Sequence, residues 1–173
     1  MSKGTKGIIA VIVALVIIIG VFAVVNSRGL EADADGNSVS IVINGNETAV
    51  YTIDDLREME GINTIHKTIS SGSKEDETGD FTGVAVRDLL LSVDEGCLDN
   101  ASGVNVTSGD GFVSSYSVDE IMEDDNIMLI FEQDGEPLPH YNDGGSGPLR
   151  IVVMKDQFGN RSAMWVTQIS VEQ

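Results

Sequence analysis

The sequence is poorest in residues that cross-link a chain. Cys97 is the only cysteine among 173 residues, which excludes an internal disulfide and any cysteine-rich metal site. With only two histidines, His66 and His140, there is no HExxH helix. No Ser/His/Asp order and no phosphate-cradling glycine loop with a lysine is present either. Basic residues are scarce too: ten Lys and Arg face 28 Asp and Glu, a formal charge of −18. Lys3, Lys6 and Arg28 precede Gly29 and every acidic residue follows it, so seven basic residues face 28 acidic ones there, a balance of −21. Nucleic acids and anionic lipids require clustered Lys and Arg, so both are excluded as partners of that part. Scattered carboxylates at this density read as a solvation device, and they are too many to nominate an acid/base pair.

What the sequence does have is one long apolar run. Residues 8–25 contain neither charge nor proline, nearly enough to span a bilayer and more than a signal-peptide core requires. Ala32-Asp33-Ala34 looks like a cleavage site but lies too far beyond the run, so a retained single-pass anchor is expected. Lys3 and Lys6 before the run put the N-terminus in the cytoplasm and everything after Arg28 outside. The organisation expected is an anchor over 1–28, an acidic linker over 29–38 and a domain over 39–173. Glu31-x-Asp33-x-Asp35-Gly36 lacks the closing glutamate of a calcium loop, Val42 standing there instead.

Within the domain, Val39, Ile41 and Ile43 alternate, Asn44-Gly45 turns the chain and residues 49–52 return, a hairpin. Thr52-x-x-Asp55 and Ser117-x-x-Glu120 resemble capping boxes opening short helices over 54–59 and 118–123, the first weaker for its aspartate. A strand is expected over 62–69 and a polar loop over 70–80. Val86, Leu89, Leu90 and Val93 have helical spacing. Residues 104–107 and 112–115 flank Gly109-Asp110-Gly111 as a second hairpin. The fold class expected is α+β, short helices on mixed sheets. Asn46, Asn100, Asn105 and Asn160 open Asn-x-Ser/Thr triplets, glycan sites under an outside topology.

The stretch 134–166 organises the rest. Asp134-Gly135 is a turn signal between apolar runs 127–131 and 149–154, which read as strands buried on two faces. Asn142 to Gly147 is a glycine-rich loop whose backbone can approach a ligand or another segment closely. Arg150 leaves it at the start of a buried strand, where an unpaired guanidinium is costly, so an anion or a set of carbonyls must meet it. His140-Tyr141 before the loop is a further functional-looking pair, although a loop histidine is more often simply solvated.

Asp134-Gly135-Glu136-Pro137-Leu138, Gly147-Pro148-Leu149-Arg150 and Met164-Trp165-Val166, with Phe81-Thr82-Gly83-Val84 and Gly109-Asp110-Gly111-Phe112 upstream, resemble the molybdopterin-binding domain of the sulfite oxidase family over residues 51–171. The resemblance implies that family's fold, a molybdopterin cofactor, and a cofactor contact at Arg150, the only one of the family's anchoring cations that matches. Arg161, which keeps a positive charge near the same turn but could equally be a solvated loop residue, and Ser146 and Gly147 of the glycine-rich loop are the other candidate contacts. It also shows what is missing. Catalysing members hold molybdenum through a cysteine on the segment before the aromatic-x-Gly-Val motif; here that segment, residues 62–69, has none. His66 and Thr68 cannot replace a soft thiolate, and Cys97 reads as a small buried hydrophobe. Gly145 stands where the family has a histidine, and Met164 where it has a lysine. Met1 to Gly7 contains no arginine, hence no twin-arginine signal for exporting a folded, cofactor-loaded protein.

No catalytic and no metal-ligating residue is therefore expected, and no cofactor. The function expected is a membrane-anchored extracytoplasmic module that binds a small anionic ligand or a cell-envelope protein. An oxidoreductase holding molybdopterin in an altered way and a purely structural envelope protein are the alternatives.

Overall fold

A computed structural model describes residues 36–71 and 75–172. Strand β1 (Ser38–Ile43) turns into β2 (Asn46–Thr52). Asn44 and Gly45 between them have φ of 53° and 73°, the left-handed pair that a two-residue hairpin requires. Helix α1 (Ile53–Arg57) follows at once. The Thr52 hydroxyl accepts the Asp55 N–H and the Asp55 carboxylate accepts the Thr52 N–H, so this capping box is complete despite its aspartate. Next come β3 (Asn63–Ile69), β4 (Glu77–Ala85) and α2 (Val86–Val93), whose Val86, Leu89 and Leu90 are buried. After β5 (Gly103–Ser108) and β6 (Val113–Tyr116), Ser117 and Glu120 make the second capping box at the start of α3 (Val118–Met122). The chain ends through β7 (Ile127–Gln133), β8 (Glu136–Pro137), β9 (Arg150–Val153) and β10 (Val166–Glu172).

These strands make two five-stranded sheets. One has the order β2-β1-β10-β5-β6, with β1 and β10 parallel; the other runs β3-β4-β7-β8, with β9 also on β7. The main core includes Val39, Ile41, Val106 and Ile169 from the first sheet and Val84, Leu129, Phe131, Ile151 and Val153 from the second. Phe81, Met128, Ile130 and Val152 belong instead to a second cluster, with Ile69, Ala85 and Leu138. Neighbouring residues of β7 and β9 thus enter different clusters, so both strands are buried on two faces, as their unbroken apolar runs predict.

One expectation fails. The polar loop expected over 70–80 is shorter, because Glu77 already opens β4. On this edge hairpin the Thr78 and Thr68 hydroxyls lie 2.8 Å apart, and the Asp80 carboxylate lies 2.7 Å from His66 Nδ1. Polar residues facing water along a strand carry the same composition as a loop, and alternation is masked when Gly79 takes the inward position. Cys97 is buried with its Sγ 3.7 Å from the Leu90 carbonyl, and burial pushes its thiol pKa up, the state of a small hydrophobe. The apolar run 8–25 lies outside the described residues, among which no helix is long and apolar enough to cross a membrane.

Candidate functional site

Arg150 starts β9 and is 2 % exposed. A guanidinium taken out of water needs an anion with matching geometry, and the chain supplies one. Nη1 donates to Glu77 Oε1 at 2.7 Å and Nη2 to Oε2 at 3.0 Å, a two-bond fork at the start of β4. The guanidinium carbon lies 6.0 Å from the centroid of the Phe81 ring. Only the buried Nε lacks a partner.

Arg161 ends a short 3-10 turn, Gly159–Arg161, after β9. Nε and Nη2 each donate to Asp156 at 2.8 Å, and Nη1 donates to Glu120 at 2.6 Å. Those bonds, Asp156 first, raise its pKa further. The Glu120 carboxyl is held below its ordinary value by the Ser117 N–H of the capping box and then by Arg161. The Tyr116 ring lies under the same guanidinium, and burial pushes its phenol up to about 12. Lys67, on the strand where the resemblance expects a metal ligand, donates instead to the Met154 and Asp156 carbonyls at 2.7 and 2.6 Å. Arg57 pairs with Glu132, Arg87 with Asp88 and Asp124, and Lys155 with Glu123. Every lysine and arginine among the described residues is therefore engaged by a carboxylate or carbonyl of the chain.

The glycine-rich loop has a different surrounding. Gly147 N–H donates to the Pro139 carbonyl and Gly147 O accepts the Tyr141 N–H, both at 2.9 Å, while Ser146 O accepts the Trp165 N–H at 3.1 Å. A Cβ on Gly145 would lie 2.1 Å from the Pro139 oxygen, so no side chain fits where the resemblance expects a histidine. The loop thus closes on Pro139 and Tyr141 and holds Trp165 through the Ser146 carbonyl. That residue has φ of 51°, a strained value for a bulky side chain. Its indole stacks on the Tyr141 ring, 5.1 Å between centroids and 19° between planes, with the His140 ring 6.3 Å away. Gly36 and Gly109 make room for it: a Cβ on either would come within 2.5 Å of the indole. The indole N–H is buried with no partner among the described residues.

The four expected cofactor contacts therefore divide among separate partners. Arg150 meets Glu77, Arg161 meets Asp156 and Glu120, and Ser146 and Gly147 hold Trp165, Pro139 and Tyr141 through backbone atoms. His140, expected to be solvated, is half-buried, and its Nδ1 accepts the Asn142 N–H at 3.1 Å. The sequence calls for an anion or a set of carbonyls at Arg150 but does not name Glu77, since 28 acidic residues are available. It missed the Tyr141–Trp165 stack, which only the closed loop brings together.

This architecture is similar to that of a solved protein, the sulfane dehydrogenase SoxCD from Paracoccus pantotrophus. The TM-score is 0.63 at 18 % identity, over 83 % of this chain and 40 % of that one. At this identity the likeness speaks for the fold alone, and the chain spans well under half of that protein's length. No curated protein matches the sequence. The family model described as oxidoreductase molybdopterin binding domain matches residues 29–173. Its span takes in both sheets, the Arg150 strand and the Trp165 shelf, and the chain belongs to the oxidoreductase molybdopterin-binding domain family.

Proposed function

We propose that the chain is a membrane-anchored, extracytoplasmic member of this family that works without molybdenum, as a binding and interaction module. One observation carries the reading: Arg150, the cation that the resemblance assigns to the cofactor, and the second candidate, Arg161, are both already used by the chain. Glu77 takes both terminal nitrogens of Arg150, and Asp156 with Glu120 takes Arg161. A multiply charged cofactor would have to displace those carboxylates, giving up charge-assisted bonds worth roughly 1.5–3 kcal/mol each. Gly145 has no room for a donor side chain, Met164 offers none, and the one thiol is buried beside Leu90. This donor set does not fit a thiolate-held molybdenum with a phosphate-bearing ligand, and no chemical step is assigned to it.

The anchor over 1–28, the linker over 29–38 and the outside placement of the domain rest on the charge-free run after Lys3 and Lys6. Protease added to intact cells digests the domain under this topology; protection until lysis contradicts it. The metal question is settled by elemental analysis of protein purified from its own host with molybdenum supplied. The expected content is far below one metal per chain. A ratio near one, lost on Arg150→Ala, overturns the reading in favour of an oxidoreductase with altered ligation.

A further inference from the structure

Seven large apolar side chains are exposed among the described residues, and three of them, Tyr141, Met164 and Phe112, lie on segments that meet at Trp165. Tyr141, 37 % exposed, covers the Trp165 ring, and Met164, 42 % exposed, precedes it in the chain. Phe112 is 50 % exposed and sits on the turn whose Gly109 backs the indole; Gly109 N–H donates to the Trp165 carbonyl at 2.8 Å. Holding this shelf costs the strained backbone and the orphaned indole N–H of Trp165, about 1–3 kcal/mol for each. Strain kept beside exposed aromatics points to binding rather than to packing.

The charge around the shelf decides what binds. Asp110 lies between Gly109 and Phe112, and Asp143 lies two residues after Tyr141; both are exposed. Neither pairs with any described lysine or arginine, all of which are engaged elsewhere. The part of the chain after Gly29 carries a balance of −21, which opposes a second copy of the same chain. We infer that the face formed by Phe112, Tyr141, Met164 and Trp165 docks a basic protein segment that presents an apolar or aromatic anchor between lysines or arginines. The anchor covers Phe112, Met164 and the outer face of Tyr141, and the flanking cations meet Asp110 and Asp143. This inference rests on the reading of the chain as an interaction module, and it names the chemistry of the partner.

Trp165 is the only tryptophan in the chain, so its emission reports on this face alone. The full-length chain, reconstituted in zwitterionic lipid, is titrated with a short capped peptide alternating lysine with phenylalanine and leucine. The same peptide with glutamate for lysine, and an oligolysine of equal charge, serve as comparisons. Near-physiological salt limits non-specific attraction. Saturable change in Trp165 emission is expected with the lysine–phenylalanine peptide only. Affinity is expected to fall about tenfold or more in Phe112→Ser and in Met164→Lys, and to persist in Met164→Gln, with unchanged melting temperature. Equal binding of the glutamate peptide, undiminished binding by both disruptive variants, or no binding at all overturns the proposal. So does self-association abolished by Met164→Lys, which assigns the face to a second copy. Metal content is independent of these outcomes. A molybdenum-loaded protein defeats the cofactor-free reading, whereas a metal-free protein that ignores the peptide defeats only this surface.

Discussion

The Arg150 pair and the Trp165 shelf lie on the same stretch of sequence but handle a buried polar group in opposite ways. At Arg150 a buried charge is matched by the Glu77 carboxylate through two bonds, leaving only Nε over. At Trp165 a buried indole N–H has no partner among the described residues, and the backbone is strained besides. A satisfied ion pair fixes structure and leaves little for a ligand. An unsatisfied, strained aromatic beside exposed apolar side chains is where folding stability has been given up, and the docking proposal for the shelf rests on that contrast.

The largest effect that tests this contrast is expected from Glu77→Ala, which strands a buried guanidinium. Stability should fall by about 3 kcal/mol, the low end for breaking a buried pair, since Glu77 is a third exposed and water can partly replace it. Glu77→Leu with Arg150→Met should recover most of the loss in a denaturant titration, because a matched apolar pair removes the stranded charge. If the double variant is as unstable as Glu77→Ala, the pair is not what holds β4 to β9.

Gly109→Ala sharpens the other side. Its methyl would meet the indole at 2.5 Å, so the ring must shift, at a cost of about 1–3 kcal/mol. Trp165 emission should change together with the melting temperature; an unchanged spectrum would mean that the indole does not lie against Gly109.

The smallest effects belong to the exposed network at Arg161. Arg161→Gln should cost about 1 kcal/mol or less, the range for partly exposed pairs. Its neighbours predict opposite pH limits. Glu120 has a depressed pKa when folded, so its contribution is complete above about pH 4.5 and is lost as pH falls through the lower folded value. Tyr116 has a raised one, so its contribution is complete below pH 10 and is lost as pH climbs towards about 12. Thermal melts of wild type and Tyr116→Phe should therefore converge in the alkaline range; a constant gap from pH 9 to 12 would contradict the burial of that phenol.

Much of this fold was legible in the sequence because local rules dominate it. Asn44-Gly45 and Asp134-Gly135 mark turns by their left-handed φ, and both capping boxes formed where Thr52 and Ser117 predict them. The unbroken runs of β7 and β9 signalled burial on two faces. Partner choice was not legible. Arg150 announces that it needs an anion, but nothing local distinguishes Glu77, 73 residues away, from other carboxylates. The Tyr141–Trp165 stack likewise depends on the loop closing over Pro139, a tertiary event without a sequence period. The start of β4 was missed because Thr78 and Asp80 face water while the alternate positions hold Glu77, paired with Arg150, and a glycine, so no apolar alternation shows.

The position of β10 has a consequence for how the domain is assembled. It is the middle strand of the first sheet, parallel to β1 on one side and antiparallel to β5 on the other, yet it comes last among the described strands. As the polypeptide emerges from its N-terminal side, the β1–β2 and β5–β6 hairpins can each form as separate ribbons. They have no shared hydrogen bonds until residues 166–172 arrive to bridge them. The sheet therefore closes only once residues 166–172 have been made, and a chain halted before Val166 is left with two ribbons whose facing edges are open to pairing with other chains.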